Sequence, residues 1–206
     1  MADYRQIDLA GWTQVGEGGN GKTYVNSEHP EWMLKVNNSR SNDLESVKKE
    51  FDVSKAVEAL GLPTPKMYEI VRVGGAYGAV SQLIRKKKSL SRICHDEPER
   101  TEEMAQLLAK LGKEFFATPC DTEFFPSRRE QALKGIDIAA YIGRKDRQKI
   151  RTFLETVPEC TTCSHGDFQP GNVIMSEGRC YWIDLGRFAY GDPMFDIGHL
   201  FQICQV

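Results

Sequence analysis

The segment 164–174, SHGDFQPGNVI, places firm demands on a fold. A carboxylate, Asp167, and an amide, Asn172, stand five residues apart, with Pro170-Gly171 supplying a turn between them. Ile183-Asp184-Leu185-Gly186 comes next, its Asp184 ten residues beyond Ile174. Two apolar stretches around Ser176–Arg179 predict a hairpin between these segments. Turning about Gly178, the hairpin sets Asn172 opposite Asp184 at one open end, where an amide oxygen and a carboxylate can share a divalent cation. A two-residue turn at Glu177-Gly178 shifts that register by one.

A second feature lies near the start. Residues 16–23, GEGGNGKT, satisfy two phosphate-binding patterns. As G-x-x-x-x-G-K-[ST] the stretch must open a helix, whose N-terminal amides hold phosphates. As G-x-G-x-x-G, with Gly16, Gly18 and Gly21, it is a hairpin turn over a nucleotide. The residues after Lys22 read TYVNSEHPEWMLKV, a stretch that is β-branched, broken by proline and without a 3.6-residue period. That context predicts strand, turn, strand, and therefore the hairpin, with Lys22 an exposed loop lysine.

The hairpin reading needs a lysine on the next strand, a helix glutamate to hold it, and an Asp and Asn five apart further on. Lys35 in WMLKV meets the first demand despite its apolar flanks. Glu50, beside Phe51 on the next helix, meets the second, with Glu45 and Glu58 nearer the helix ends. Asn42 is positioned to cap that helix with Glu45, and Leu44, Val47, Phe51, Val57 and Leu60 mark one face. Gly61 and Pro63 stop it. Lys66–Val73 and Tyr77–Ile84 predict a strand pair turning at Gly74-Gly75. Thereafter helices are expected over Pro98–Phe116, Arg128–Ala140 and Asp146–Val157, and strands over Thr161–His165 and Val173–Asp184. The expected organisation is a nucleotide-binding lobe over 1–84 and a catalytic lobe over 85–206, with a hinge about 82–88. The basic run Arg85–Lys88 at the junction reads as a solvated loop.

Composition limits the classes. With 206 residues, 40% hydrophobic and 27% charged, the chain suits one large domain or two small lobes. A net charge of −2 gives no electrostatic footprint for nucleic acid. No apolar run approaches a membrane span, and MADYRQIDLAGW has no apolar core of a signal peptide. Six cysteines then read as reduced thiols in a cytoplasm. Cys160-Thr-Thr-Cys163 has no second ligand pair at metal spacing and reads as two packed thiols.

HGDFQPGN followed by IDLGR resembles the aminoglycoside phosphotransferase and choline kinase family. GDPMFDIGHL is similar to the family's segment after the metal aspartate, with Asp196 in the place of its buried helix aspartate. The resemblance implies an α+β, protein-kinase-like bilobal fold: an N-terminal antiparallel sheet with one helix, then a mostly helical lobe carrying a catalytic hairpin. It implies ATP and Mg²⁺ as cofactors and a small-molecule hydroxyl as acceptor, with no nucleic acid or membrane partner. Asp167 would deprotonate the acceptor. Asn172 and Asp184 would bind Mg²⁺. Lys35 would contact the α/β-phosphates and Glu50 would position it. Gly16, Gly18, Gly19, Asn20 and Gly21 would cover the phosphates, while Gln82 and Ile84 in the hinge would meet the base. His165 would shape the loop by hydrogen bonds. Residues 109–116 read AKLGKEFF, where many relatives carry a Leu-His pair. The chain reaches Val206 ten residues after Asp196, where relatives continue with helices that help build the acceptor pocket. A minimal form, a truncated product, or a protein that closes its site with a partner is the expectation. Asp121-Thr-Glu-Phe-Phe125 suits an acceptor wall or a loop packed on helices. The competing reading is a catalytically silent nucleotide-binding or regulatory protein.

Overall fold

The computed structural model describes residues 4–18, 21–38 and 43–204. The chain forms two compact units, residues 1–88 with 174–186, and residues 89–173 with 187–206. The hairpin within 174–186 therefore groups with the N-terminal residues.

The first unit is built on a five-stranded antiparallel sheet in the order β1-β2-β3-β5-β4, from β1 (Trp12–Gly18), β2 (Gly21–Asn26), β3 (Trp32–Asn37), β4 (Met67–Val73) and β5 (Ala76–Gln82). A strand, and no helix, comes after the glycine loop, so the hairpin reading of residues 16–23 holds. Lys22 lies on β2 rather than in a loop, 3.7 Å from Glu17. Period-two alternation divides the central strands. Leu34, Val71 and Val80 are fully buried in one core with Ile7, and Tyr24, Val36 and Val73 pack against it. Met33, Lys35, Ala79 and Ser81 point to the other face.

Helix α1 (Leu44–Ala59) buries Val47 and Val57. Its N-cap is Asp43, which accepts from the Ser46 amide at 2.8 Å, rather than the expected Asn42, which lies outside the described residues. Aspartate satisfies an orphan N–H as well as asparagine does, and sequence spacing does not separate adjacent cap candidates. The chain then leaves through Gly61 and Pro63, whose carbonyl accepts from the Trp182 amide at 2.8 Å. Trp182 belongs to the hairpin of β8 (Val173–Ser176) and β9 (Arg179–Trp182). Its loop is two residues, Glu177 and Gly178, both at positive φ (50° and 78°), the conformation of a tight I′ turn. That turn moves the pairing by one residue, so the register that set Asn172 opposite Asp184 is not the one formed.

A two-residue strand, β6 (Lys88–Ser89), marks the junction. In the second unit, α2 (Leu90–Asp96) is an element that the sequence pattern did not announce; Ser89 caps it by accepting from the Arg92 amide. The helix expected from Pro98 begins as a 3₁₀ turn, Pro98–Arg100, and continues as α3 (Thr101–Ala117). Then come α4 (Arg128–Ile138), α5 (Arg144–Thr156) and α6 (Met194–Ile203). The expected strand Thr161–His165 shrinks to β7 (Cys163–Ser164), paired with β10 (Ala189–Tyr190).

Met104, Leu108, Gly112 and Phe115 form the buried stripe of α3. Phe115 meets Phe188 at 5.7 Å between ring centres, and Phe125 meets Phe188 at 4.5 Å. Phe168 lies against Phe116 at 5.0 Å and also over Gly112, where an added Cβ would come within 2.7 Å of its ring. Gly112 therefore makes room for the residue after Asp167. Among the described residues, no helix is long and apolar enough to cross a membrane.

Gly112→Ala is expected to lower stability by about 1–3 kcal/mol, the cost of overpacking a filled core. Denaturant midpoints of the two proteins check this, and a Phe168→Leu change in the alanine background is expected to restore part of the loss.

Candidate functional site

Two groups of polar side chains stand out, one in each unit. The first lines a cavity of about 490 Å³ in the N-terminal unit, within the size range of small-molecule sites. Gly16, Gly18, Gly21 and Thr23 from the β1–β2 hairpin form part of its wall, with Met33, Lys35, Ala79 and Ser81 from the sheet. Gln82 at the end of β5 and Ile84 and Lys87 beyond it border the cavity, and Ile174, Ile183, Asp184 and Leu185 border it from the hairpin segment. Gly19 and Asn20 lie outside the described residues.

Lys35 reaches this face because β3 alternates. Its neighbours Leu34 and Val36 turn to the core, so the apolar flanks that make a lysine unexpected there belong to the opposite side. Its Nζ meets Glu50 Oε1 at 2.6 Å. Glu50 sits in the middle of α1, one turn from Val47, and this places it over the cavity face of the sheet. Of the three candidate glutamates on α1, Glu50 is the one that pairs with Lys35. The pair is only partly buried, at 29% and 42% side-chain exposure, so its value is orientation of the ammonium more than stability. Asp184 takes a left-handed backbone, φ 60°, directly before a 3₁₀ turn at Leu185–Arg187. Aspartate tolerates that region better than most residues.

The second group is the loop 165–172 of the C-terminal unit. Its backbone is fixed by Asp196 on α6, which is 1% exposed. One carboxylate oxygen accepts from the His165 amide and the other from the Gly166 amide, each at 2.7 Å. Gly166 is at φ 81°, and a Cβ there would run into the Arg128 guanidinium and the Arg187 backbone. Arg128 donates to Ser164 Oγ at 3.1 Å and to the Arg187 carbonyl. Burial pushes its guanidinium below its usual value, and the Asp196 charge opposes that push. His165 is buried, with its ring 5.9 Å from Phe115.

Asp167 receives three side-chain donors. Oδ1 accepts from Gln169 Nε2 at 3.0 Å and lies 2.8 Å from His199 Nε2; Oδ2 accepts from Asn172 Nδ2 at 2.8 Å. Asn172 Nδ2 also reaches the Asp167 carbonyl at 2.8 Å. Partial burial pulls the Asp167 carboxyl upward, but the hydrogen bonds from His199, Asn172 and Gln169 outweigh it and hold the group below its ordinary value.

The structure thus brings Lys35 to Glu50, sets Asp184, Gln82 and Ile84 on one cavity, and brings Asn172 to Asp167. Sequence reasoning did not find His199, Gln169 or Arg128. His199 stands three residues after Asp196, a spacing that shares one helix face, and this was the available signal. The segment Asp121–Phe125 is a turn in which Asp121 Oδ1 accepts from the amides of Glu123 and Phe124; Phe125 is buried and Phe124 exposed. Among the described residues all six cysteines are free thiols, Cys163 buried at the start of β7.

A family model described as the phosphotransferase enzyme family matches residues 11–205. Among solved structures, the chain is similar to a thermostable form of the aminoglycoside phosphotransferase APH(4)-Ia with ADP and hygromycin B. Identity there is 17%, the TM-score 0.64, and the match covers 92% of this chain and 71% of that one. Aminoglycoside-3'-phosphotransferase of type VIII matches at 19% identity and TM-score 0.62, over 93% and 77%. A choline/ethanolamine kinase family protein from Mesorhizobium loti matches at 15% and 0.62, over 92% and 62%. No curated protein matches the sequence. At these identities the likeness concerns the fold, which is the α+β, protein-kinase-like fold of these phosphotransferases.

A pH dependence arises from Asp167. A carboxyl held below its ordinary value stabilises the folded state fully above that value, 3.8, and loses the contribution as pH falls through the depressed one. The difference in urea midpoint between wild type and Asp167→Asn is therefore expected to be larger at neutral pH and to shrink as pH falls below about 4. Midpoints measured across that range check the sign.

Proposed function

The chain belongs to the phosphotransferase enzyme family, and from that premise we propose that it is a kinase using Mg·ATP to phosphorylate a hydroxyl of a small molecule such as an aminoglycoside, amino alcohol or sugar. The observation that carries this reading is the 2.6 Å Lys35–Glu50 pair on the wall of a nucleotide-sized cavity that the glycine hairpin also lines. Cytoplasmic residence is part of the proposal, and the free cysteines support it.

The residues have separable tasks. The hairpin brings the backbone of Gly16, Gly18 and Gly21 to the phosphates. Lys35 offers a cation to the α/β-phosphates, and Glu50 keeps its ammonium aimed at them. Gln82 and Ile84 meet the purine at the hinge. Asp167 accepts the proton of the acceptor hydroxyl.

The donor chemistry of Asn172 and Asp184 fits a hard cation. Asn172 commits its Nδ2 to Asp167, so its amide oxygen is the atom offered to a metal. Asp184 offers a carboxylate to the cavity. Among the described residues no three His, Cys, Asp or Glu side chains cluster as a metal site, so phosphate oxygens and water would complete the shell. Bound Mg²⁺ would offset the charge of the transferring phosphoryl group. Positioning and charge neutralisation are most of what such a transfer requires of a protein.

ATP consumption with Mg²⁺ across aminoglycosides, amino alcohols, sugars and nucleosides tests the proposal. Acceptor-dependent turnover is expected for wild type, with a loss of about 10²–10⁴-fold in Asp167→Asn, the range a general base supplies. Tight binding of ATP and Mg²⁺ with no turnover on any acceptor would instead identify a silent nucleotide-binding module.

A further inference from the structure

His199 touches the residue on which the chemistry turns, yet no step of the transfer gives it a task. Asp167 is not a bare carboxylate waiting for a proton. Two donors occupy its Oδ1, Gln169 at 3.0 Å and His199 at 2.8 Å, while Oδ2 holds one, Asn172 at 2.8 Å. A carboxylate has about four lone-pair directions, two on each oxygen. Oδ1 is therefore full, and Oδ2 has one direction left. An ionised carboxylate only accepts, so the hydrogen of the His199 contact sits on Nε2.

We propose that His199 is a positioning residue: with Gln169 it saturates Oδ1 of Asp167 and reserves Oδ2 for the acceptor hydroxyl. This rests on the kinase reading. As the hydroxyl oxygen forms its bond to the γ-phosphorus, its O–H bond breaks and the proton passes to Oδ2. The bond between the γ-phosphorus and the β-phosphate bridging oxygen breaks, and ADP leaves with that electron pair.

The origin of the donors strengthens the argument. Gln169 and Asn172 lie in the same loop as Asp167 and move with it. His199 comes from α6, and α6 grips the loop a second time through Asp196, which holds the His165 and Gly166 amides. Residues 196 and 199 share a helix face. One face of α6 thus fixes the loop's backbone at one point and the carboxylate at another, so the carboxylate plane is set by a rigid element and not by the loop alone. His199 is partly exposed, at 32% of its side chain, and denaturant midpoints of wild type and variants separate a loss of fold from a loss of positioning.

The test compares wild type, His199→Leu and His199→Gln in Mg·ATP turnover, with the acceptor that gives turnover in the panel above or with water where none does, and records the imidazole N–H resonances of each by NMR. Glutamine retains a side-chain N–H donor; leucine does not. For His199→Leu, kcat is expected to fall about tenfold to a hundredfold, part of the contribution of a well-placed base, with KM for ATP within about twofold. His199→Gln is expected to keep kcat within about threefold of wild type. A hydrogen-bonded ring N–H resonance is expected in wild type and is lost in Asp167→Ala. Unchanged kcat in His199→Leu, a change confined to KM, a glutamine variant as impaired as leucine, or a wild type lacking the ring resonance each overturns the proposal. A wild type that binds ATP but turns it over with no acceptor, water included, overturns the kinase reading and this assignment with it.

Discussion

A buried carboxylate holding two consecutive amides organises the C-terminal unit. Asp196 has almost no exposed surface, and removing a charge from water is costly unless its oxygens find donors. The loop supplies them through His165 and Gly166. The cost of burying the carboxylate and the need to satisfy two loop amides offset each other, and each fixes the other's position. Arg128 completes the balance. Its partly buried guanidinium ties Ser164 on β7 to the carbonyl of Arg187, the residue that ends the 3₁₀ turn before β10. Gly166 has to be glycine for two reasons at once: its left-handed φ, and the space that Arg128 and Arg187 take up around it.

The N-terminal unit solves a different problem with a simpler device. A sheet that presents a lysine to a cavity while burying leucine and valine on the same strand uses the two-residue period of a β-strand twice. Leu34, Val80 and Val71 anchor the sheet, and Met33, Lys35, Ala79 and Ser81 face the cavity. Stability and chemistry are on opposite faces, so a change on one is felt on the other only through the backbone. Helix α1 serves both, since Val47 and Val57 pack while Glu50 aims Lys35.

This difference between the units decides how much of the chain is legible. Lys35, Glu50 and the glycine hairpin were legible because their signals are local: β-branched residues after a glycine loop, an apolar strand, and a helix with one apolar face. The Asp167–Asn172 contact was legible through a fixed spacing. The hairpin register was not, because one residue of turn length decides it and Glu177 takes positive φ without being glycine. α2 escaped because seven residues are too few for a helical period to declare itself. β7 and β10 have two residues each and exist through their pairing with one another. His199 and Arg128 were missed for a further reason. Their partners lie 32 and 36 residues away; the three-residue spacing from Asp196 was the one local signal for His199, and Arg128 had none.

The stretch AKLGKEFF on α3 shows how packing divides one feature between a helix and a loop. Gly112 leaves a gap on the buried stripe of α3 between Leu108 and Phe115. The ring of Phe168 fills it, held at its other edge by Phe116. A small residue on the helix and a large one in the loop are therefore one feature divided between two segments. Because Phe168 adjoins Asp167 in the chain, this packing restrains the loop on one side, and Asp196 restrains it on the other. A mobile carboxylate would sample many directions; one held between an aromatic anchor and a clamped backbone has few. The loop's geometry is in this way a consequence of core packing and hydrogen-bond satisfaction.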